Sequence, residues 1–215
     1  MCAGVLSPNL IDFVPRSARR VLVLQTESAP QSHGDEGGTA SSFVFFNCLE
    51  DARDIEIGTT PVIDQDPPRL PFPESTFDVI VAADILPLFR SESGFLSEMH
   101  RLLRSGGFLF LSVANVQHFE YVLGLARGEW ARTLQSRHGV PPVKFFTASS
   151  LASLFPPAGF SLLRLGSFEE SAPEEFPLNE ERCYVHGSIT LGPLDDTAYQ
   201  LFRVRRFFVL AQRVA

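Results

Sequence analysis

The sequence is short of the groups that build metal sites or grip nucleic acid. Its three cysteines, Cys2, Cys48 and Cys183, lie far apart. No pair has the spacing of a metal knuckle or a redox motif, which implies a reduced, cytoplasmic setting. His33, His100, His138 and His186 are equally dispersed, so no metal site is expected. Lys144 is the only lysine, and the formal net charge is −7. A protein of that sign repels phosphate backbones, which argues against nucleic acid as a partner. The first twenty residues are broken by Pro8, Asp12 and Pro15, and no apolar run further on is long enough to span a bilayer. Neither a signal peptide nor a membrane anchor is expected. Phosphate-binding loops and nucleophile elbows are missing too. One further absence matters most: no glycine occurs between Val5 and Gly34.

What is present reads as one α/β domain over residues 1–215. The chain is 45% hydrophobic and 20% charged, with 20 phenylalanines that predict an aromatic core. Arg20 to Leu24, Phe43 to Phe46, Phe77 to Ala83 and Phe108 to Val113 are short continuous apolar runs, the pattern of strands buried on both faces. Asp54 to Ile57 and Pro61 to Ile63 suggest a further, broken strand. Phe160 to Leu165 and Arg205 to Gln212 complete the set. Between them, Phe95, Leu96, Met99, Leu102 and Leu103 fall at helical spacing, with Gly106-Gly107 expected to end that helix. Asn9 to Val14, Phe119 to Trp130 and Ser149 to Phe155 are further helix candidates. Residues 25–42 read as an irregular loop, and 167–198 as an acidic, irregular insertion before the last strand. Strands alternating with helices predict a mostly parallel sheet covered on both faces.

Several segments carry a resemblance. Leu70-Pro71-Phe72-Pro73-Glu74-Ser75-Thr76-Phe77-Asp78-Val79-Ile80, Ala83-Asp84-Ile85-Leu86, and Glu98-Met99-His100-Arg101-Leu102-Leu103-Arg104-Ser105-Gly106-Gly107 follow one another in order. Ala114-Asn115-Val116-Gln117-His118-Phe119, Lys144-Phe145-Phe146-Thr147 and Ala158-Gly159-Phe160 continue it. Together they resemble class I S-adenosylmethionine-dependent methyltransferases, especially the small ones found with bacterial glycan-assembly genes. The resemblance implies a Rossmann-like methyltransferase fold with a mostly parallel seven-stranded sheet and helices on both faces.

It also implies a cofactor site, and here the sequence departs from the family. The glycine-rich turn after the first strand, which lets the ligand approach the backbone, corresponds to Gln25-Thr26-Glu27-Ser28-Ala29, with Gln25, Glu27 and Ala29 in the glycine positions. Val23 stands where the strand carries an acid. Asn47 replaces the acid that takes the ribose hydroxyls, and an amide cannot grip both as a carboxylate does. Asp66 matches the acidic position that meets adenine. Asp84, at the end of its strand, is a candidate for both cofactor contact and catalysis, and His118 is the candidate general base. Pro87-Leu88 replaces the family's Glu-His pair. Two functions remain open: a scaffold whose standard S-adenosylmethionine binding is weak or lost, or an active transferase with a divergent site and a small polar or sugar acceptor. The partner is accordingly a small-molecule acceptor or another protein, and the oligomeric state stays open.

Overall fold

A computed structural model describes residues 14–15, 17–25, 42–48, 69–129 and 142–214. Its centre is a six-stranded sheet built from β1 (Arg20–Gln25), β2 (Ser42–Asn47), β3 (Phe77–Ala83), β4 (Leu103–Ala114), β5 (Phe160–Glu170) and β8 (Val204–Arg213). The strand order is β2-β1-β3-β4-β8-β5. Neighbours β2, β1, β3 and β4 pair in parallel. Strand β8 runs antiparallel to both β4 and β5, so β5 points the same way as the first four. The expected α/β fold with a mostly parallel sheet is therefore present. Among the described residues the central sheet has six strands, not seven. The broken strand anticipated at Asp54 to Ile57 and Pro61 to Ile63 lies outside them, as do the short helix before Val14 and all but the ends of the 25–42 loop.

Alternation within the strands creates two faces. Leu22, Leu24, Ile80, Leu109, Leu111 and Val209 point to one, and Val21, Val23, Val79, Val81, Phe110 and Phe208 to the other. The first face is covered by helix α1 (Glu92–Leu102) and by the short α3 (Ala148–Ala152), through Phe95, Leu96, Met99, Leu102 and Leu151. Each large side chain so buried contributes about 2 kcal/mol. Ser91 caps α1 by accepting from Gly94 N at 3.0 Å.

The helix does not run to the glycines. It stops at Leu103, and Gly106-Gly107 instead form the irregular start of β4, where the register against β3 jumps from Phe77–Leu103 to Val79–Phe108. Gly106 has φ +75°, and a Cβ on Gly107 would sit 2.9 Å from Arg104 O. Helix-to-strand closure, not helix capping, requires them. On α1, Glu98 is buried, accepts from Leu70 N at 2.8 Å and takes Arg101 through both oxygens. Arg101 also donates to Phe72 O at 2.8 Å. This pair pins the approach to β3.

The C-terminal third departs furthest from expectation. Strand β5 continues to Glu170, five residues beyond the apolar run. The supposedly irregular insertion contains a hairpin, β6 (Tyr184–His186) with β7 (Ile189–Leu191), and helix α4 (Asp196–Arg203). These pack with α2 (Phe119–Ala126) around a separate small core of Phe119, Leu123, Phe176, Tyr184 and Leu194. Phe176 is fully buried and stacks on Phe119 at 4.7 Å and on Phe202 at 5.9 Å. The α2 helix ends at Ala126, short of the Trp130 anticipated. Gly128 follows with φ +73°, and Glu129 N bonds to Gly124 O at 2.8 Å, a left-handed stop.

Candidate functional site

Open α/β sheets bind ligands at the carboxyl ends of their parallel strands. In this protein that edge is formed by Gln25 of β1, Asn47 of β2, Asp84 after β3 and Asn115 after β4. Gln25 is still in strand conformation, directly opposite Asn47, while Leu24 pairs with Ala82 and Ala83 with Ser112. Three of the anticipated residues, Gln25, Asn47 and Asp84, thus sit on adjacent strands at one edge. Glu27 and Asp66 lie outside the described residues.

Asp84 has the most unusual surroundings. Its φ is +56°, a left-handed conformation that costs a residue with a Cβ about 1–2 kcal/mol. The backbone is held there by its N–H donating to Ser112 O at 3.0 Å. Carboxylate Oδ2 pairs with the Arg206 guanidinium from β8, and both side chains still reach the surface, at 16% and 13% exposure. The other oxygen, Oδ1, is buried with no hydrogen-bond partner among the described residues, which typically costs about 1–3 kcal/mol. Burial lowers the Arg206 pKa, but an arginine remains charged there.

Asn115 and His118 behave differently. Asn115 is fully buried, and its Nδ2 donates to Leu201 O and Val204 O, both at 2.8 Å. Its Oδ1 accepts from Gln117 N at 3.0 Å. His118 is 1% exposed and caps α2, Nδ1 accepting from Glu120 N at 3.4 Å. The tautomer assigned from that bond carries its proton on Nε2, which donates to Ser171 Oγ at 3.0 Å. Desolvation first, and then the Arg205 cation, push its pKa down to about 3. The imidazole is neutral at physiological pH, and both nitrogens are engaged. Hydrogen bonds from Ser171 and then Arg205 hold Glu175 below the usual carboxylate range. Arg205 also takes Glu120 at 2.7 Å. His118 is therefore one end of a network running through Ser171, Glu175 and Arg205 to Glu120.

The remaining motif residues serve the scaffold. Phe146 is buried and forms a parallel bridge with Asn115, Thr147 caps α3, and Gly159 (φ +79°) brings its backbone against the His100 ring. Pro87 O accepts from Val143 N at 2.9 Å. Arg206, Ser171, Arg205 and Glu175 were not among the sequence candidates. The one hint was a pair of arginines, Arg205-Arg206, inside an otherwise apolar final strand. Among the described residues no His, Cys, Asp or Glu cluster could hold a metal.

Comparison with known proteins agrees with this architecture. The methyltransferase domain family model matches residues 47–111, from the end of β2 into β4. A SAM-dependent methyltransferase from Archaeoglobus fulgidus superposes with a TM-score of 0.53 at 12% identity, covering 92% of this chain and 87% of the other. One from Methanosarcina mazei gives 0.51 at 15% identity, covering 96% and 97%. Curated proteins yield no match. The loop positions Gln25, Glu27 and Ala29 carry side chains where glycines belong, and Asp84 already holds a cation of the protein's own.

Proposed function

We propose that this chain, which has the class I methyltransferase fold, is a member with a degenerate cofactor site, in which standard S-adenosylmethionine binding is weak or lost. The observation that carries the reading is the glycine-free exit of β1. The strand continues through Gln25, paired with Asn47, and Glu27 and Ala29 stand in the other two glycine positions. On the family's loop path, side chains at these three positions would crowd the backbone approach, and Glu27 would add negative charge near the ligand's carboxylate. Val23 and Asn47 add two lost acids, and Pro87-Leu88 a lost Glu-His pair. On this reading the protein is a cytoplasmic binding or regulatory scaffold. Among the described residues no helix is long and apolar enough to cross a membrane.

His118 is a positioning residue in this proposal rather than a general base, because its lone pair and its proton are both committed. Asp84 is the residue assigned to ligand contact. A second reading, an active transferase with a divergent site and a small polar acceptor, draws its support from that same residue, whose Oδ1 lacks a partner.

Titration calorimetry of the purified protein with S-adenosylmethionine and S-adenosylhomocysteine separates the two. The degenerate site predicts dissociation constants of about 1 mM or weaker, equivalent to about 4 kcal/mol of binding. Micromolar affinity for either compound would overturn it. Glu27→Gly alone should leave the affinity unchanged, because Gln25 and Ala29 remain at the other two glycine positions. A large gain from that single change would show the loop argument to be wrong.

A further inference from the structure

We infer that Ser75, Arg104 and Arg213 form a binding site for a free tetrahedral oxyanion of the phosphate class, at the amino end of the parallel strands. This is the sheet edge opposite Asp84, so the inference goes beyond the reading of the cofactor site and does not depend on it. Three elements meet there: the turn before β3, the start of β4 and the end of β8. Ser75 is exposed and has φ +51°, and its N–H donates to Arg101 O at 2.8 Å. Arg213 Nη1 donates to Ser75 Oγ at 3.3 Å and also to Leu103 O. Arg104 Nε donates to Ser75 O at 3.4 Å, and its Nη1 to Asp78 Oδ1 at 2.8 Å. Two guanidinium groups thus converge on one exposed serine.

The charges around them do not cancel. Asp78 meets Arg104 and also accepts from Arg19 N and Arg20 N, both at 2.9 Å. Glu74 acts on Arg101, which Glu98 holds as well. Arg213 has no carboxylate partner among the described residues, its acceptors being a carbonyl and a hydroxyl. Its Nε is buried with no acceptor, so this cation is short of counter-charge and of hydrogen bonds alike. The overall charge of −7 does not forbid an anion here, because charges more than about 8 Å away are largely screened at physiological ionic strength.

The uncommitted donors select the ligand. Once the bonds above are made, Nη2 of Arg104, Nη2 of Arg213 and the Ser75 hydroxyl proton remain. The Arg104 side chain is 45% exposed, so an anion reaches the site without displacing protein. Three donors from three elements match three oxygens of a tetrahedral anion, whereas a planar carboxylate offers only two.

NMR on the full chain, with inorganic phosphate titrated at constant ionic strength and neutral pH, tests this. The Ser75 amide and the Arg213 Nε–H should shift saturably, with a dissociation constant of about 1 mM, and acetate should bind about tenfold more weakly. His100 reports from the other side of Arg213. Burial first, and then Arg213, lower its pKa, so a bound anion should raise its titration midpoint. Arg213→Gln should weaken phosphate binding at least about tenfold and abolish the His100 response. Arg213→Lys keeps the charge without the fork and should weaken binding about threefold, which remains informative if the glutamine variant does not fold. Ser75→Gly suits the left-handed backbone, so the variant should fold, and loss of the hydroxyl should weaken binding about fivefold. Shifts that grow linearly and equally with phosphate and chloride would mean general screening only and would overturn the inference. Acetate binding as tight as phosphate, or an unchanged affinity in Arg213→Gln or in Ser75→Gly, would overturn it too.

Discussion

Two stretches of one sheet edge treat buried polar groups in opposite ways. Where β4 and β5 end and β8 begins, Asn115 makes three hydrogen bonds and His118 uses both ring nitrogens, and the network closes on Arg205. At the end of β3, Asp84 keeps a buried oxygen without a donor and a left-handed backbone besides. A fully satisfied network rigidifies what it joins, whereas a partly satisfied one stores free energy that a ligand can relieve. The first stretch therefore fastens the small aromatic core of residues 171–203 to the sheet, and the second is joined to β8 through the Asp84–Arg206 pair.

The largest test of that contrast is Asn115→Ala. It strands the Leu201 and Val204 carbonyls in a fully buried place, and unfolding in denaturant should show a loss of about 3 kcal/mol. A loss below about 1 kcal/mol would mean that the α4–β8 junction is held by packing alone.

Acid provides the next. The folded-state pKa of His118, about 3, lies below its ordinary 6.5, so the unfolded chain takes up the proton first. Its contribution is complete above pH 6.5 and falls as the pH drops from there toward 3. By pH 5 the loss is about 2 kcal/mol relative to pH 8. The facing charges are Arg205, which opposes protonation, and Glu175 and Glu120 on the other side. His118→Asn preserves a capping acceptor and should flatten this part of the stability profile. An unchanged profile would place the acid sensitivity elsewhere.

Ser171→Ala removes the acceptor of His118 and should cost about 1 kcal/mol, visible as a lower midpoint in thermal unfolding. Glu175→Gln is expected to have the smallest effect, with no measurable change in midpoint, because Glu175 is itself half in water and Arg205 keeps Glu120. If Glu175→Gln were the more damaging of the two, the network would be anchored from its exposed end.

The strands were readable because a parallel strand buried on both faces must be apolar throughout, as Val21 to Leu24 and Phe77 to Ala83 are. The C-terminal core was not readable. Phe176, Tyr184 and Leu194 follow neither a helical nor an alternating period, and their burial depends on Phe119 and Leu123 from a distant helix. The double glycine is plain in the sequence but its task is not, since that depends on the close approach of Asp78 O from another strand. At the site, Asp84 was identifiable from its place at a strand end. Its partner was not, because Arg206 lies 122 residues away and no local pattern links the two.

Residue chemistry in series determines whether an apolar run can be a buried strand and whether a turn contains glycine, so the sheet and the glycine-free stretch after β1 belong to the sequence itself. Whether a polar side chain is a tool or a fastening is decided only when the chain closes. His118 and Asp84 looked alike as candidates. One met Ser171 and the backbone of its own helix, the other met Arg206 and was left with a free oxygen. The physical reason is that hydrogen-bond satisfaction depends on which distant groups arrive within about 3 Å, and that is a property of tertiary packing alone.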